Sequence, residues 1–205
     1  MLEVFNLAVV RGDRQLFTEL EFSANDGELL YVHGPNGSGK TTLLRMLCGL
    51  VMPTDGEIHW KGEQISELGE AFRRELFYLG HLNAIKADLT GLENLRIQDK
   101  LAGQAISVDK ALDALERMGL EGFEDFPTKI LSQGQKRRVA LARLLLTNAK
   151  LWVLDEPFVA LDKKTVEALS AIFSEHLTKK GIIVLTTHQE VAIDTATVNQ
   201  VKLGS

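Results

Sequence analysis

Gly34-Pro35-Asn36-Gly37-Ser38-Gly39-Lys40-Thr41 has the G-x-x-x-x-G-K-[ST] spacing of a phosphate-binding loop, and its flanks are those the motif requires. Leu29-Leu30-Tyr31-Val32-His33 before it is apolar and β-prone. Thr41 to Leu50 after it is helix-prone, with Leu43, Leu44, Met46, Leu47 and Leu50 at apolar positions. A strand, a glycine-rich turn and a helix in that order predict a nucleoside triphosphate site. Glycines let backbone N–H groups close around the α- and β-phosphates with no Cβ in the way. Lys40 is spaced to reach the β/γ-phosphates, and the Thr41 hydroxyl to hold Mg²⁺. The plain alternative is a turn that binds nothing, and the matching flanks argue against it.

The 205 residues suffice for one sizeable core, divided at most into a core and a subdomain. A hydrophobic content of 45% and a charged content of 25% are ordinary for a soluble globular protein. The net charge of −5 argues against a non-specific nucleic-acid binder, which carries a basic excess. No window approaches about 18 consecutive apolar residues, so no membrane-spanning helix is expected. Met1-Leu2-Glu3-Val4 lacks the basic region and cleavage site of a secretory signal. Cys48 is the only cysteine, which excludes an intrachain disulfide and fits a reducing compartment; in an apolar helix it reads as a small core residue. A cytoplasmic protein is expected.

Residues 1–32 read as strands, such as Leu2–Val10 and Glu28–Val32, joined by turns at Gly12-Asp13 and Asp26-Gly27. Pro53-Thr54-Asp55-Gly56 signals a turn, and Glu57–Trp60 with Gln64-Ile65 reads as a hairpin across Lys61-Gly62-Glu63. From about Thr90 the pattern turns helical. Thr90 and Glu93 have capping-box spacing and open a helix running towards Leu101. Ser107 caps a second, with Ala111, Leu112, Leu115 and Met118 on one face, and a third begins at Ser132. Leu151–Leu154 and Ile182–Thr186 are continuous apolar runs of the kind buried on both faces of a parallel sheet. A mixed sheet with a helical stretch inserted at roughly 82–147 follows.

Leu151-Trp152-Val153-Leu154 ends in Asp155-Glu156-Pro157. Asp155, at the C-terminal end of a strand downstream of a phosphate loop, is placed to hold Mg²⁺ directly or through water. Glu156 beside it is placed to polarise an attacking water as general base. Leu131-Ser132-Gln133-Gly134-Gln135 opens the basic helix Lys136-Arg137-Arg138-Val139-Ala140-Leu141-Ala142-Arg143 with capping-box spacing at Ser132 and Gln135. A helix N-terminus with a hydroxyl and a glycine for close approach suits an anion, or is simply a helix start.

The phosphate loop, LSQGQ, LDEP, Ala160-Leu161-Asp162 and Thr187-His188, in that order and spacing, resemble the ATP-binding subunit of ABC transporters over nearly the whole chain. The resemblance implies an α/β fold: a P-loop NTPase cassette with a mixed, mostly parallel sheet core, an antiparallel β edge and an inserted helical subdomain. Residues 1–205 then form a single domain, with about 1–81 and 148–205 as nucleotide-binding core and 82–147 as the helical part. It implies ATP and Mg²⁺ as cofactors. Nucleotide contacts come from Gly34, Pro35, Asn36, Gly37, Ser38, Gly39, Lys40, Thr41 and Thr42, and metal contacts from Thr41 and Asp155. Lys40, Glu156 and His188 are the catalytic side chains, His188 touching the γ-phosphate. Two copies pair head to tail on binding ATP, so that Ser132, Gly134 and Gln135 close on the γ-phosphate held by the opposite copy, with Asp162 at their interface.

Three positions depart from the family pattern. The signature carries Gln133 where a glycine is usual, at the position expected to face away from phosphate. The residue stacking on adenine falls near Arg11, whose guanidinium can stack on a base. The family's γ-phosphate-sensing glutamine falls on His81, whose imidazole can serve as a metal or water ligand where Leu82 cannot.

Within the family, Gly80-His81, Ile85-Lys86, Leu89-Thr90, Glu93-Asn94-Leu95, Gly122-Phe123-Glu124-Asp125 and Pro157-Phe158 resemble the heme-exporter ATP-binding subunit of bacterial cytochrome c maturation. That resemblance implies a peripheral place on the cytoplasmic face of the inner membrane, bound to integral membrane permease subunits, with heme handled only indirectly. His33, His59, His81, His176 and His188 are scattered, and none belongs to a Cys-x-x-Cys-His attachment site. Residues Ala84–Leu92 are expected to receive a short helix of the membrane subunit, with charge at Ile85 disrupting assembly. Two other readings stay open: the ATP-binding subunit of a different small-solute transporter, and a non-transport ABC ATPase of DNA repair or ribosomes. The second is disfavoured by a single phosphate loop, no sustained heptads and net acidity.

Overall fold

Two sheets divide the strands, and the phosphate loop lies at the head of the second. The structure is a computed structural model and describes residues 1–101, 103, 106–189, 191–194 and 197–204. Strand β1 (Leu2–Arg11) folds back on β2 (Arg14–Ala24) across Gly12-Asp13, and β1 also pairs antiparallel with β4 (Asp55–Trp60), itself paired with the short β5 (Glu63–Gln64). The β4–β5 turn is Lys61-Gly62, both at positive φ (55° and 86°), the backbone a tight two-residue hairpin needs. Ile65, expected in this hairpin, instead opens the short helix α2 (Ile65–Leu68), which α3 (Glu70–Arg74) follows.

The second sheet is wholly parallel. Its order is β6 (Leu76–Leu79), β7 (Leu151–Asp155), β8 (Ile182–Thr186), β3 (Leu29–His33) and β9 (Val198–Lys202). Every residue of β7 and β8 is buried, which explains their unbroken apolar sequence. Successive side chains go to opposite cores. Trp152, Leu154, Ile183 and Leu185 join the helices on one face, whereas Leu151, Val153, Ile182 and Val184 join the loop helix and the antiparallel sheet on the other. Each fully buried Leu or Ile contributes about 1.5–3 kcal/mol relative to exposure, so the sheet is anchored from both sides.

The loop helix α1 (Lys40–Leu47) is shorter than expected. Gly49 at φ 67° ends it, and the Leu50 N–H turns back to the Arg45 carbonyl at 2.9 Å. Leu43, Leu44, Met46 and Leu47 are fully buried, but Leu50, past the stop, is 61% exposed. Cys48 is buried, and burial pushes its thiol far up, away from the reactive thiolate.

Between β6 and β7 lie α4 (Gly91–Leu101), α5 (Val108–Arg117) and α6 (Gln133–Ala142). The Thr90/Glu93 capping box forms, at 2.8 and 3.1 Å, and Ser107 caps α5. The buried stripe of α5 continues as Ala111, Ala114, Leu115 and Met118; Leu112, expected on that face, lies at its border because i+3 and i+4 fall on Ala114 and Leu115. Asn94, 2% exposed, clasps the preceding turn: its amide takes the Lys86 N–H at 2.7 Å and donates to the carbonyls of Lys86, Leu89 and Thr90.

The long helix α7 (Lys163–Thr178) places His176 flat against Trp152, ring centroids 3.7 Å apart and 9° from parallel. Burial holds the His176 pKa down, to about 4, against hydrogen bonds to the Lys150 and Ile182 backbone that raise it. The unfolded imidazole titrates near 6.5, so the neutral ring stabilises the fold fully above that pH. The contribution is lost as pH falls from 6.5 towards 4. A tenfold difference in proton affinity is about 1.4 kcal/mol, and the loss by pH 4.5 is on the order of 2 kcal/mol. Urea unfolding at pH 7.5 and 4.5 is expected to show a larger loss of stability for the wild type than for His176→Phe, which keeps the stack and cannot charge. Equal losses in the two chains would refute this role of His176.

Candidate functional site

The phosphate loop runs from the end of β3 to α1, whose N-terminal dipole points into it. Lys40 Nζ donates to the Gly34 carbonyl at 2.7 Å and the Pro35 carbonyl at 3.2 Å, which arches the lysine back over the loop. The need for glycine at 34 lies beneath the loop. There φ is 153°, and a Cβ would sit 2.6 Å from Ser38 Oγ and 2.7 Å from the Leu203 carbonyl. Ser38 is likewise turned inward, 5% exposed, with its N–H on the Pro35 carbonyl. Its side chain is buried beneath the loop and does not line the cleft.

At the other edge, Asp155 ends β7 between two hydroxyls. Thr41 Oγ1 donates to Oδ2 at 2.8 Å and Thr186 Oγ1, from β8, to Oδ1 at 2.7 Å. Thr186 Oγ1 also accepts the Glu156 N–H at 3.0 Å. Glu156 leaves the strand at φ 51°, a left-handed conformation unusual for a glutamate, and its carboxylate Oε1 lies 3.4 Å from His188 Nε2. His188 is 63% exposed and stands on a corner where Thr187 Oγ1 accepts the Gln189 N–H at 3.0 Å.

These elements enclose a cleft of about 550 Å³. It is lined by Arg11, Leu16, Asn36, Gly37, Gly39, Lys40, Thr41, Thr42, His81, Asp155, Glu156, Val159, His188 and Gln189. Two of the three departures read from the sequence, Arg11 and His81, thus stand at the same cleft as the loop and the acid pair. Leu16, Val159, Thr186 and Gln189 were not singled out as site residues. Thr186 carried a readable signal, a hydroxyl one strand from Asp155 at the head of a buried run. Leu16 and Val159 are apolar walls with no such signature.

Gly34, Pro35, Ser38, Ser132, Gly134 and Gln135 do not line the cleft. The last three sit at the start of α6, where the capping box forms completely: Ser132 Oγ accepts from Gln135 N at 3.2 Å, and Gln135 Oε1 accepts from Ser132 N at 2.8 Å. Both acceptor oxygens are engaged in the cap, leaving the Ser132 O–H and the Gln135 NH₂ still able to donate. Glycine is required at 134 because a Cβ would lie 2.8 Å from the Ala160 carbonyl. Asp162 caps α7, Oδ1 taking the Thr165 N–H at 2.8 Å, and that bond holds its carboxyl below the usual range.

Among the described residues no group of three or more His, Cys, Asp or Glu side chains could hold a metal ion, and no helix is long and apolar enough to cross a membrane. The Thr41 hydroxyl and Asp155 carboxylate form an adjacent all-oxygen pair. Such a pair fits Mg²⁺, which keeps most of its water and takes one or two protein oxygens.

In the segment expected to meet the membrane subunit, and just before it, exposure departs from the sequence reading. Ile85 is only partly exposed and packs on the helical core, whereas Leu82 is 81% exposed.

A family model described as ABC transporter matches residues 17–159. The cytochrome c biogenesis ATP-binding export protein CcmA of Nitrosomonas europaea is 55% identical over 100% of this chain and 96% of its own length. That of Dechloromonas aromatica is 56% identical over the whole of both chains. Among solved structures, the dimeric bacterial ABC transporter cassette MJ0796 superposes with a TM-score of 0.84 at 27% identity, covering 98% of this chain and 94% of the other. A dimeric post-hydrolysis state of MJ0796 bound to ADP and Pi gives 0.81 at 27% identity, covering 92% and 88%. The chain belongs to the ABC transporter family and, within it, to the cytochrome c biogenesis ATP-binding export proteins.

Proposed function

We propose that this chain is the ATP-hydrolysing subunit of a heme-delivering export complex, seated peripherally on the cytoplasmic face of a bacterial inner membrane and serving cytochrome c maturation. The observation that carries the hydrolytic reading is the line Thr41–Asp155–Thr186–Glu156, joined at 2.8, 2.7 and 3.0 Å at the mouth of the phosphate loop. The heme reading rests on relatives over half identical along the whole chain, named for export in cytochrome c biogenesis.

In this reading the β- and γ-phosphates lie along the loop N–H groups, and Lys40 swings from the Gly34 and Pro35 carbonyls onto them. Thr41 and Asp155 hold Mg²⁺, which when bound screens charge on the β/γ oxygens. Glu156 Oε1 takes a proton from the water whose oxygen bonds to the γ-phosphorus as the bond to the ADP oxygen breaks. His188 Nε2, 3.4 Å from Glu156 Oε1, keeps that carboxylate on the water. His81 faces the same cleft; imidazole nitrogen suits Mg²⁺ poorly, so we place it on the attacking water or the γ-phosphate. Arg11 and Leu16 offer a cationic and an apolar face to the adenine. A second copy, docked head to tail, presents the free donors of its Ser132 and Gln135 to the γ-phosphate. Residues 82–147 act as the helical unit that carries this signature against a core of 1–81 and 148–205.

Leu82 is the apolar contact we assign to a membrane-subunit helix, replacing Ile85, where a charge would also disturb packing. Losing one buried leucine contact is about 2 kcal/mol, so Leu82→Glu is expected to lower recovery of membrane partners by about tenfold or more. The test is affinity purification from detergent-solubilised membranes, with mass spectrometry of partners and a heme absorbance scan. Permeases of cytochrome c maturation with heme in the complex support the proposal. An unrelated permease would reassign the transport pathway and leave the ATPase chemistry standing, and normal recovery with Leu82→Glu would discard the docking site.

A further inference from the structure

Arg137 is the one member of the run Lys136-Arg137-Arg138 that turns inward. Lys136 Nζ reaches the Lys129 carbonyl and Arg138 NH1 the Gly119 carbonyl, both near the surface, while Arg137 is 5% exposed. Its guanidinium donates to four acceptors on two separate segments. NH2 binds the carbonyls of Asp155 at 3.0 Å and Glu156 at 2.8 Å; NH1 binds the Gly80 carbonyl at 3.3 Å and Asn83 Oδ1 at 3.0 Å.

We propose that Arg137 is a positioning residue for hydrolysis, setting the Glu156 peptide and the turn that carries His81 in one register across the cleft. The proposal rests on the reading of Glu156 as general base. Glu156 sits at φ 51°, and for a residue with a Cβ this conformation costs about 1–2 kcal/mol and persists only where its surroundings over-determine it. Here they do. The N–H is held by Thr186 Oγ1, and the carbonyl accepts from both Arg137 and the Val159 N–H at 3.3 Å. Gly80 and Asn83 flank His81, so the same planar fork fixes the opposite lip. A lysine, with one nitrogen on a flexible stem, cannot span both segments.

Stability alone is a poor reason for this residue. Burial works against the guanidinium's charge, Asp155 and Glu156 offset that, and Nε has no hydrogen-bond partner. A neutral side chain of similar length would carry neither penalty. The residue also lies two positions beyond Gln135 on α6. The helix whose tip closes on the partner's nucleotide is therefore the helix that aims the carboxylate in its own cleft.

The test uses the full chain, purified with the membrane proteins it retains, and measures kcat, KM for ATP and nucleotide affinity. Misplacing a reacting group by about 1 Å costs up to about 10²-fold, so Arg137→Gln is expected to lower kcat by about 10- to 100-fold with KM and nucleotide affinity within about threefold. Arg137→Lys is expected to recover little of kcat. Asn83→Ala, at a partly exposed loop position, should lower kcat by a few-fold with KM unchanged, and decides the matter if the Arg137 variants do not fold. Wild-type kcat in a folded Arg137→Gln chain, full rescue by lysine, or wild-type kcat in Asn83→Ala would overturn the proposal. Glu156→Gln measured alongside separates the two readings: if it hydrolyses ATP normally, the base assignment has failed; if it is inactive while Arg137→Gln is normal, only the positioning role has.

Discussion

Glu156→Gln is expected to bind ATP as the wild type does and to hydrolyse it about 10²- to 10⁴-fold more slowly, the range of a lost general base. The substitution is nearly isosteric and leaves untouched the contacts that hold this peptide, which are made by backbone atoms: Glu156 N to Thr186 and the Glu156 carbonyl to Arg137. Lys40, Thr41 and Asp155 keep their places, so binding survives. What is lost is the carboxylate that accepts the proton. With cleavage blocked, two copies are expected to remain closed on ATP, and size-exclusion chromatography should show a dimer with ATP and a monomer without it. A wild-type turnover rate in this variant would remove Glu156 from the mechanism.

Ser132→Arg and Lys40→Ala are each expected to abolish turnover alone and to restore it when mixed. Ser132 does not line the cleft of its own chain, and its oxygen accepts within a completed capping box, which leaves its O–H able to donate elsewhere. An arginine there breaks the cap, removes the donor and puts bulk at the docking face. Removing a donor to a developing anion costs about 10²–10³ in rate, so each variant alone should fall at least that far. In the mixture, the loop of the Ser132→Arg chain meets the intact signature of the Lys40→Ala chain, making one complete site per mixed pair. Recovery of about tenfold or more above either variant alone would follow from that site. No recovery, with both variants folded and associating, would place the signature in the same chain's site.

The candidate site was legible to unequal depths. The loop, Asp155 and Glu156 are contiguous motifs whose chemistry needs neighbours in sequence, and they meet at one cleft as their spacing implies. Arg11 and His81 were found by alignment to a pattern and not by their own surroundings, yet both reach that cleft. Arg137 stands in a run that reads only as a basic helix, because burial of a single member of a run leaves no periodic trace. Ile85 was read as exposed and Leu82 passed over, since an apolar residue in a loop carries no sign of which way it faces. α7 went unread; its buried stripe starts on a polar residue, Thr165, before Leu169, Ile172, Phe173 and Leu177.

By itself the sequence determined the strand–loop–helix that holds phosphate, the two buried strands that carry Asp155 and Thr186, and the capped start of the signature helix. Each is set by interactions within a few residues: backbone conformation, the two-residue alternation of a strand, a side chain reaching three residues along a helix. Only the tertiary structure decided why glycine stands at 34 and 134, where the Leu203 and Ala160 carbonyls approach from elsewhere in the chain. It alone decided that one guanidinium from α6 would hold both lips of the cleft. The Arg137 bonds alone reach up to 57 residues along the chain, and no local pattern encodes such contacts, because nearly all their partners are backbone carbonyls that every residue carries.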